Sequence, residues 1–248
     1  MFSDEERAGI RDALVTRARE DERLTGAAVT GSAALDREDR WSDIDLALCV
    51  ASDDDLDRVS ADWTERMYAE HAAVHHVDVM SGRVLFRVFL LASTLQVDIA
   101  FWPAAEFGAT APTFRLLFGT AKERPTTPGP TAAALIGMGW LYALHARSSI
   151  ARDRGWQAEY MISGVRDHVL ALACLRHGLP TNEGRGMDRL PPEVTDPVAD
   201  ALVRSLDPAD LQRAFRVAGE ALLLEIAEAE PGLASRLAGP LRELADLR

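Results

Sequence analysis

The pattern of apolar and polar positions divides the chain into two unlike halves. Residues Ser3 to about Glu22 have amphipathic helical spacing, and Ser3 with Glu6 three places on forms a capping box that can satisfy two backbone donors. Ala27 to Thr30 is a short apolar run predicted as a buried strand, ending in the Gly31-Ser32 turn, with a helix expected to begin near Ala33. Leu46 to Val50 is the next strand. Ser52 followed by Asp53, Asp54 and Asp55 opens a helix that should run to about His71, its acids lying at the positive end of the dipole. Three β-rich runs follow, His76–Met80, Val84–Leu91 and Leu95–Trp102, separated by Ser81-Gly82 and by Ala92-Ser93-Thr94.

The Pro-rich connector from Lys122 to Pro130 marks a boundary. Beyond it Thr131–Arg152, Trp156–His177, Asp210–Glu230 and Leu233–Leu247 carry helical spacing, with Gly178, Pro180 and Pro231-Gly232 as stops. The expected architecture is α+β: a mixed-sheet domain over residues 1–124 and an all-α bundle over 131–248. No internal repeat or low-complexity tract is present.

Composition narrows the function. The 248 residues carry a formal charge of −12, so the surface repels phosphate backbones and attracts cationic small molecules. Nucleic acid is therefore not expected as a partner. No apolar run reaches the roughly 18 residues of a membrane span, and the acidic start Met1-Phe2-Ser3-Asp4-Glu5-Glu6 lacks the features of a signal peptide, so a cytoplasmic location without membrane contact is expected. Lys122 is the single lysine, which argues against Schiff-base chemistry. Cys49 and Cys174, both in apolar segments, are expected to be buried free thiols.

One feature of the strand Leu46–Val50 points to chemistry: Asp43-Ile44-Asp45 stands at its mouth. Side chains alternate along a strand, so the two carboxylates share a face while Ile44 and Leu46 enter the core. A divalent cation relieves their repulsion, and magnesium suits oxygen ligands of this kind together with substrate phosphates. Asp98, which interrupts the apolar run Leu95–Phe101, is the candidate third carboxylate; alone it would read equally well as an edge-strand or solvent-face residue. Gly31 permits a tight turn, and Ser32 with the first N–H groups of the expected helix forms a candidate anion site.

Gly31-Ser32, Asp43-Ile44-Asp45 and Asp98, in that order and context, resemble the nucleotidyltransferase superfamily that includes DNA polymerase beta and the aminoglycoside and lincosamide nucleotidyltransferases. The likeness covers roughly residues 20–120. The second half resembles, less specifically, the helical domain of the antibiotic-modifying members. The resemblance implies that Asp43, Asp45 and Asp98 bind metal, two magnesium ions being expected, and that Ser32 contacts the triphosphate of ATP or another nucleotide. It further implies transfer of a nucleoside monophosphate, AMP foremost, to a hydroxyl of a small and cationic acceptor, with release of pyrophosphate.

Asp98 and Glu159 are the candidate bases, the latter because some antibiotic nucleotidyltransferases take a glutamate from the helical domain; a solvated helix face is its plainer reading. Arg166, seven residues on and on the same helical face, is a candidate phosphate contact or a partner of Asp167 or Glu159. His71, His75 and His76 lack the partners of a metal site. Trp140, Trp156 and Tyr160 are candidates to stack on a base or pack a drug ring, although aromatics at helical spacing usually read as core, and the loop Thr181–Arg189 reads as a connector or a substrate gate. A homodimer is compatible with the resemblance. A toxin–antitoxin nucleotidyltransferase acting on protein or RNA, and an idle binding module, are the alternatives; no Arg in the second half is followed four to six residues later by His, the spacing of RNA-cutting partners.

Overall fold

A computed structural model describes residues 1–123 and 128–245 and divides the chain into two compact units, Met1–Thr127 and Pro128–Arg248. The centre of the predicted connector, residues 124–127, and residues 246–248, which include the last two of the predicted final helix, lie outside the described residues. The protein is α+β: a mixed sheet followed by helices. Among the described residues no helix is long and apolar enough to cross a membrane.

The first unit begins with α1 (Asp4–Glu20), capped by Ser3, whose side chain accepts from the Glu6 backbone N–H. The strands β1 (Leu24–Thr30) and β2 (Ile44–Val50) come next, then α2 (Leu56–Glu70) and the strands β3 (Ala73–Ser81), β4 (Val84–Leu91) and β5 (Gln96–Pro103). Short strands β6 (Gly108–Ala109) and β8 (Lys122–Glu123) pair with each other, while β7 (Phe114–Phe118) joins the main sheet. That sheet runs in the order β3-β4-β5-β2-β1-β7, and its β2–β5 pair is parallel while the other pairs are antiparallel. A parallel neighbour requires a crossover, and α2 with the β3–β4 hairpin supplies it.

The two faces of the sheet differ in chemistry. Ile44, Leu46, Leu48 and Val50 of β2 cluster with Ile99 and Phe101 of β5 and with Trp63 and Met67 of α2. Alternation sends Asp45, Ala47 and Cys49 to the other face, where Ala47 and Cys49 pack with Ala100, Trp102 and Phe107. Helices α1 and α2 thus pack on one face, and the half-buried Asp45 and Asp98 lie on the other, beyond the smaller apolar cluster.

The second unit consists of α3 (Ala132–Ala151), α4 (Gly155–Arg176), α5 (Pro192–Ala199), α6 (Pro208–Ala229) and α7 (Pro231–Ala245). Ile162 and Val165 of α4 meet Phe215, Leu222 and Ile226 of α6 in its core. Gly164 lets the Tyr142 ring lie directly on the α4 backbone, since a Cβ there would overlap the ring.

Several expectations change. The helix expected after Gly31-Ser32 is only a 3-10 turn, Ala33–Leu35, ended by Asp36 in the left-handed conformation. Pro231 begins α7 instead of only stopping α6, because a proline at the first helical position loses no hydrogen bond. Trp156 and Tyr160 are 78% and 62% exposed and Trp140 is 37% exposed, contrary to a core role: they stand on the outer sides of α3 and α4. β7 and α5 were not predicted from pattern. Both cysteines are buried free thiols, and burial pushes each thiol's pKa up.

Candidate functional site

The parallel pairing of β2 with β5 sets Asp45 directly opposite Asp98. Both strands lie inside the sheet, with β4 beyond β5 and β1 beyond β2, so Asp98 is on a central strand and its edge-strand reading is excluded. Asp43 stands just before β2 begins, and its Oδ2 accepts a hydrogen bond from Gln96 Nε2 at 3.2 Å. Gln96, the first residue of β5, is a neighbour that sequence pattern did not single out, because nothing local relates it to Asp43.

Asp98 Oδ1 is buried and has no hydrogen-bond partner. Burial pushes the Asp98 carboxyl up to about 6, and the negative charge of Asp43 pushes it in the same direction. A buried carboxylate oxygen with no donor is uncommon in a folded protein and costs on the order of a few kcal/mol, so it calls for a charge or donor brought from outside the chain.

Gly31 has φ of +62°, and a Cβ built there would overlap Asp45 Oδ2 and stand 3.0 Å from the carboxyl carbon. The turn therefore closes against the Asp45 carboxylate. Ser32 begins the 3-10 turn without using its side chain as a cap, while its carbonyl accepts from the N–H groups of Leu35 at 3.2 Å and Arg37 at 3.0 Å. With one turn of 3-10 helix in place of an α-helix, the dipole expected behind Ser32 is absent; what remains is a tight turn with a hydroxyl. Asp36 at its end accepts from Arg115 Nη1 of β7 at 2.6 Å, which fastens the turn to the sheet.

From Asp36 to Asp43 the chain has no regular helix or strand. Arg7 of α1, 6% exposed, reaches across to this segment. Its Nη1 donates to the carbonyls of Asp39 and Ser42, and its Nε lies 3.4 Å from the Glu38 carboxylate. Arg11 donates to both Glu38 oxygens at 2.6 and 2.5 Å. These arginines were also missed, because the spacing of α1 shows which residues are polar but not which polar residue the fold will bury.

Gly31, Asp43, Asp45 and Asp98 thus gather at one end of the sheet face, with Ser32 in the adjoining turn. Glu159 and Arg166 belong to the other unit, on α4. Glu159 accepts a hydrogen bond from Ser163 Oγ at 2.8 Å, and Arg166 pairs with Asp167 at 2.8 Å. His76 Nδ1 shares a hydrogen bond of 2.9 Å with Tyr68 Oη, and burial lowers the pKa of His71. Among the described residues no group of three or more His, Cys, Asp or Glu side chains is drawn close enough to hold a metal ion. The donor set at Asp45 and Asp98 nevertheless fits a hard divalent cation: two carboxylates on adjacent central strands, a buried oxygen without a donor, and a third carboxylate near enough to raise the pKa of the second.

No known family profile matches the chain, and no curated protein matches it. Among solved structures, it is similar to an aminoglycoside 6-adenyltransferase from Bacillus subtilis, with 14% identity, a TM-score of 0.35, and 95% of this chain and 97% of that chain covered. It is also similar to the polymerase core of TRAMP, an RNA surveillance complex, with 13% identity, a TM-score of 0.31, and 99% and 82% of the two chains covered. At these identities and TM-scores the site must be read from its own geometry.

Proposed function

We propose that this chain is a magnesium-dependent nucleotidyltransferase. It moves a nucleoside monophosphate, AMP foremost, from a nucleoside triphosphate to a hydroxyl of a small cationic acceptor of the aminoglycoside or lincosamide kind, and releases pyrophosphate. The observation that carries the reading is the register that sets Asp45 beside Asp98, with Gly31 closed against Asp45.

Asp43, Asp45 and Asp98 would hold the magnesium. Bound there, magnesium supplies neutralising charge for the triphosphate and the departing pyrophosphate. The chain's own residues bind, orient and move the proton. The Gly31 turn lets backbone approach the phosphates closely, and the Ser32 hydroxyl, unused as a cap, donates to a phosphate oxygen. Asp98 accepts the proton of the acceptor hydroxyl as that oxygen bonds to the α-phosphorus. The bond from the α-phosphorus to the bridging oxygen breaks, and pyrophosphate leaves with the electron pair. In the metal-free chain burial and the Asp43 charge make the Asp98 carboxyl more basic than an ordinary aspartate, the direction a general base requires. Arg166, which pairs with Asp167 at 2.8 Å, is a candidate phosphate contact, and Glu159 is the second candidate base.

The net charge of −12 supports a cationic acceptor over a nucleic acid. The test is incubation of the purified chain with magnesium, each nucleoside triphosphate in turn and a panel of aminoglycosides and lincosamides. Mass spectrometry then looks for an acceptor heavier by one nucleoside monophosphate. The expected result is such a product, lost in Asp45→Ala protein that still folds. Equal product from that variant would sink the mechanism. Labelling of protein or RNA in place of small acceptors would replace the proposed substrate class.

A further inference from the structure

The carboxylates of the site are positioned by two different means. Asp45 and Asp98 sit in a hydrogen-bonded ladder whose register determines where they point. Asp43 lies one residue outside that ladder, at the end of the irregular segment that begins at Asp36. Something other than backbone pairing within the sheet must hold it. Its side chain has Gln96, and its backbone approach has Arg7, whose Nη1 bonds the Ser42 carbonyl immediately before it at 3.3 Å and the Asp39 carbonyl as well.

An arginine this buried is rare and persists only where its donors are used, because a desolvated cation without partners is strongly destabilising. Here the planar guanidinium spends Nη1 on two carbonyls of the segment, lies 3.4 Å from Glu38 through Nε and 3.4 Å from Asp4 through Nη2. Arg11 pins the same Glu38 from the next turn of α1. With Nε turned to Glu38 and Nη2 to Asp4, the rigid plane aims Nη1 at the two carbonyls, an orientation the point charge of a lysine does not reproduce.

We propose that Arg7 is a positioning residue: it clamps the backbone between Asp39 and Ser42 and so sets the Asp43 carboxylate for the divalent cation. The proposal rests on the metal-site reading above. It distinguishes Arg7 from a residue that merely fastens α1 to the sheet, because its effect must pass through Asp43.

The test is a double-mutant cycle on the full chain, read as Mn2+ affinity by electron paramagnetic resonance, with amide hydrogen exchange alongside. Arg7→Met is expected to weaken Mn2+ binding about tenfold, in the range found when groups that orient metal ligands are removed. Exchange should quicken at residues 36–43 while β5 stays protected. In an Asp43→Asn background the same substitution should add nothing. Arg7→Lys, the variant to read if Arg7→Met does not fold, should also weaken binding, since it keeps the charge and loses the fork. Unchanged Mn2+ affinity in the Arg7 variants, or an equal further loss in the Asp43→Asn background, would overturn the proposal alone. Wild-type protein that binds no Mn2+ would overturn the metal reading and the proposal together.

Discussion

Gly31 packs so closely on Asp45 that no side chain fits between the turn and the carboxylate. Its φ of +62° adds a second constraint, since that conformation costs other residues on the order of 1 kcal/mol or more. Gly31→Ala is therefore expected to fold with a melting temperature lowered by a few degrees, and to lose about a hundredfold in turnover as Asp45 is displaced. Calorimetry and the mass-spectrometric transfer assay check the two effects separately. Full activity would mean that the Asp45 position is not critical.

Asp98 carries a stability cost with a definite sign. Its carboxyl titrates near 6 in the fold and near 4 in the unfolded chain, so the folded protein is penalised when Asp98 is ionised. That penalty is fully present above about pH 6 and absent below about pH 4, where both states are protonated. In metal-free protein at pH 8, Asp98→Asn should raise stability by on the order of 2 kcal/mol, with the gain vanishing near pH 4. Urea unfolding at the two pH values decides it; a gain that did not depend on pH would assign the effect to packing.

Asp21 shows the opposite sign. It is buried, accepts from Arg23 Nε at 2.8 Å, from Arg23 Nη2 at 2.9 Å and from Trp63 Nε1 at 3.1 Å, and its carboxyl falls to about 2, the Arg23 hydrogen bonds being the main cause and Trp63 a further one. The stabilisation of about 2 kcal/mol is present above the unfolded value near 4 and lost as pH falls toward 2. Asp21→Asn should remove it at pH 7 and flatten the acid limb of the stability curve between pH 4 and 2. An unchanged acid limb would show that other carboxylates control acid unfolding.

Glu159 is half-buried and bonded to Ser163 within its own helix. With Asp98 as the base, Glu159→Gln should change kcat by less than about threefold, on the scale of a lost helix-surface hydrogen bond. A drop approaching a hundredfold with acceptor KM unchanged would move the proton transfer to Glu159.

Much of this site is legible without coordinates. Period-two alternation is a property of any strand, so Asp43 and Asp45 had to share a face while Ile44 and Leu46 were buried, and both are buried at 1% exposure. Asp98 stood out because one carboxylate in an apolar strand must have a reason. A capping-box motif marked Ser3, and Ser81-Gly82 marked the break between the runs that pair as β3 and β4. It failed after Gly31-Ser32, where alanines and a leucine satisfy helical preference but the chain turns away after three residues at Asp36, which is fastened to Arg115 of a strand not foreseen. Trp156 and Tyr160 failed likewise: helical spacing identifies a stripe, and only packing decides which stripe is covered.

The order of the motifs, the α+β division and the candidate carboxylates were thus determined by the sequence alone, because local backbone geometry repeats with periods of 2 and 3.6 whatever the surroundings. The pairing of Asp45 with Asp98, the burial of Arg7 against Asp39 and Ser42, and the closure of Gly31 on Asp45 were decided only by tertiary structure. Each joins segments remote in the chain or turns on a contact between atoms. Strand order and side-chain burial depend on the free energy of the whole packed unit, which no local period encodes.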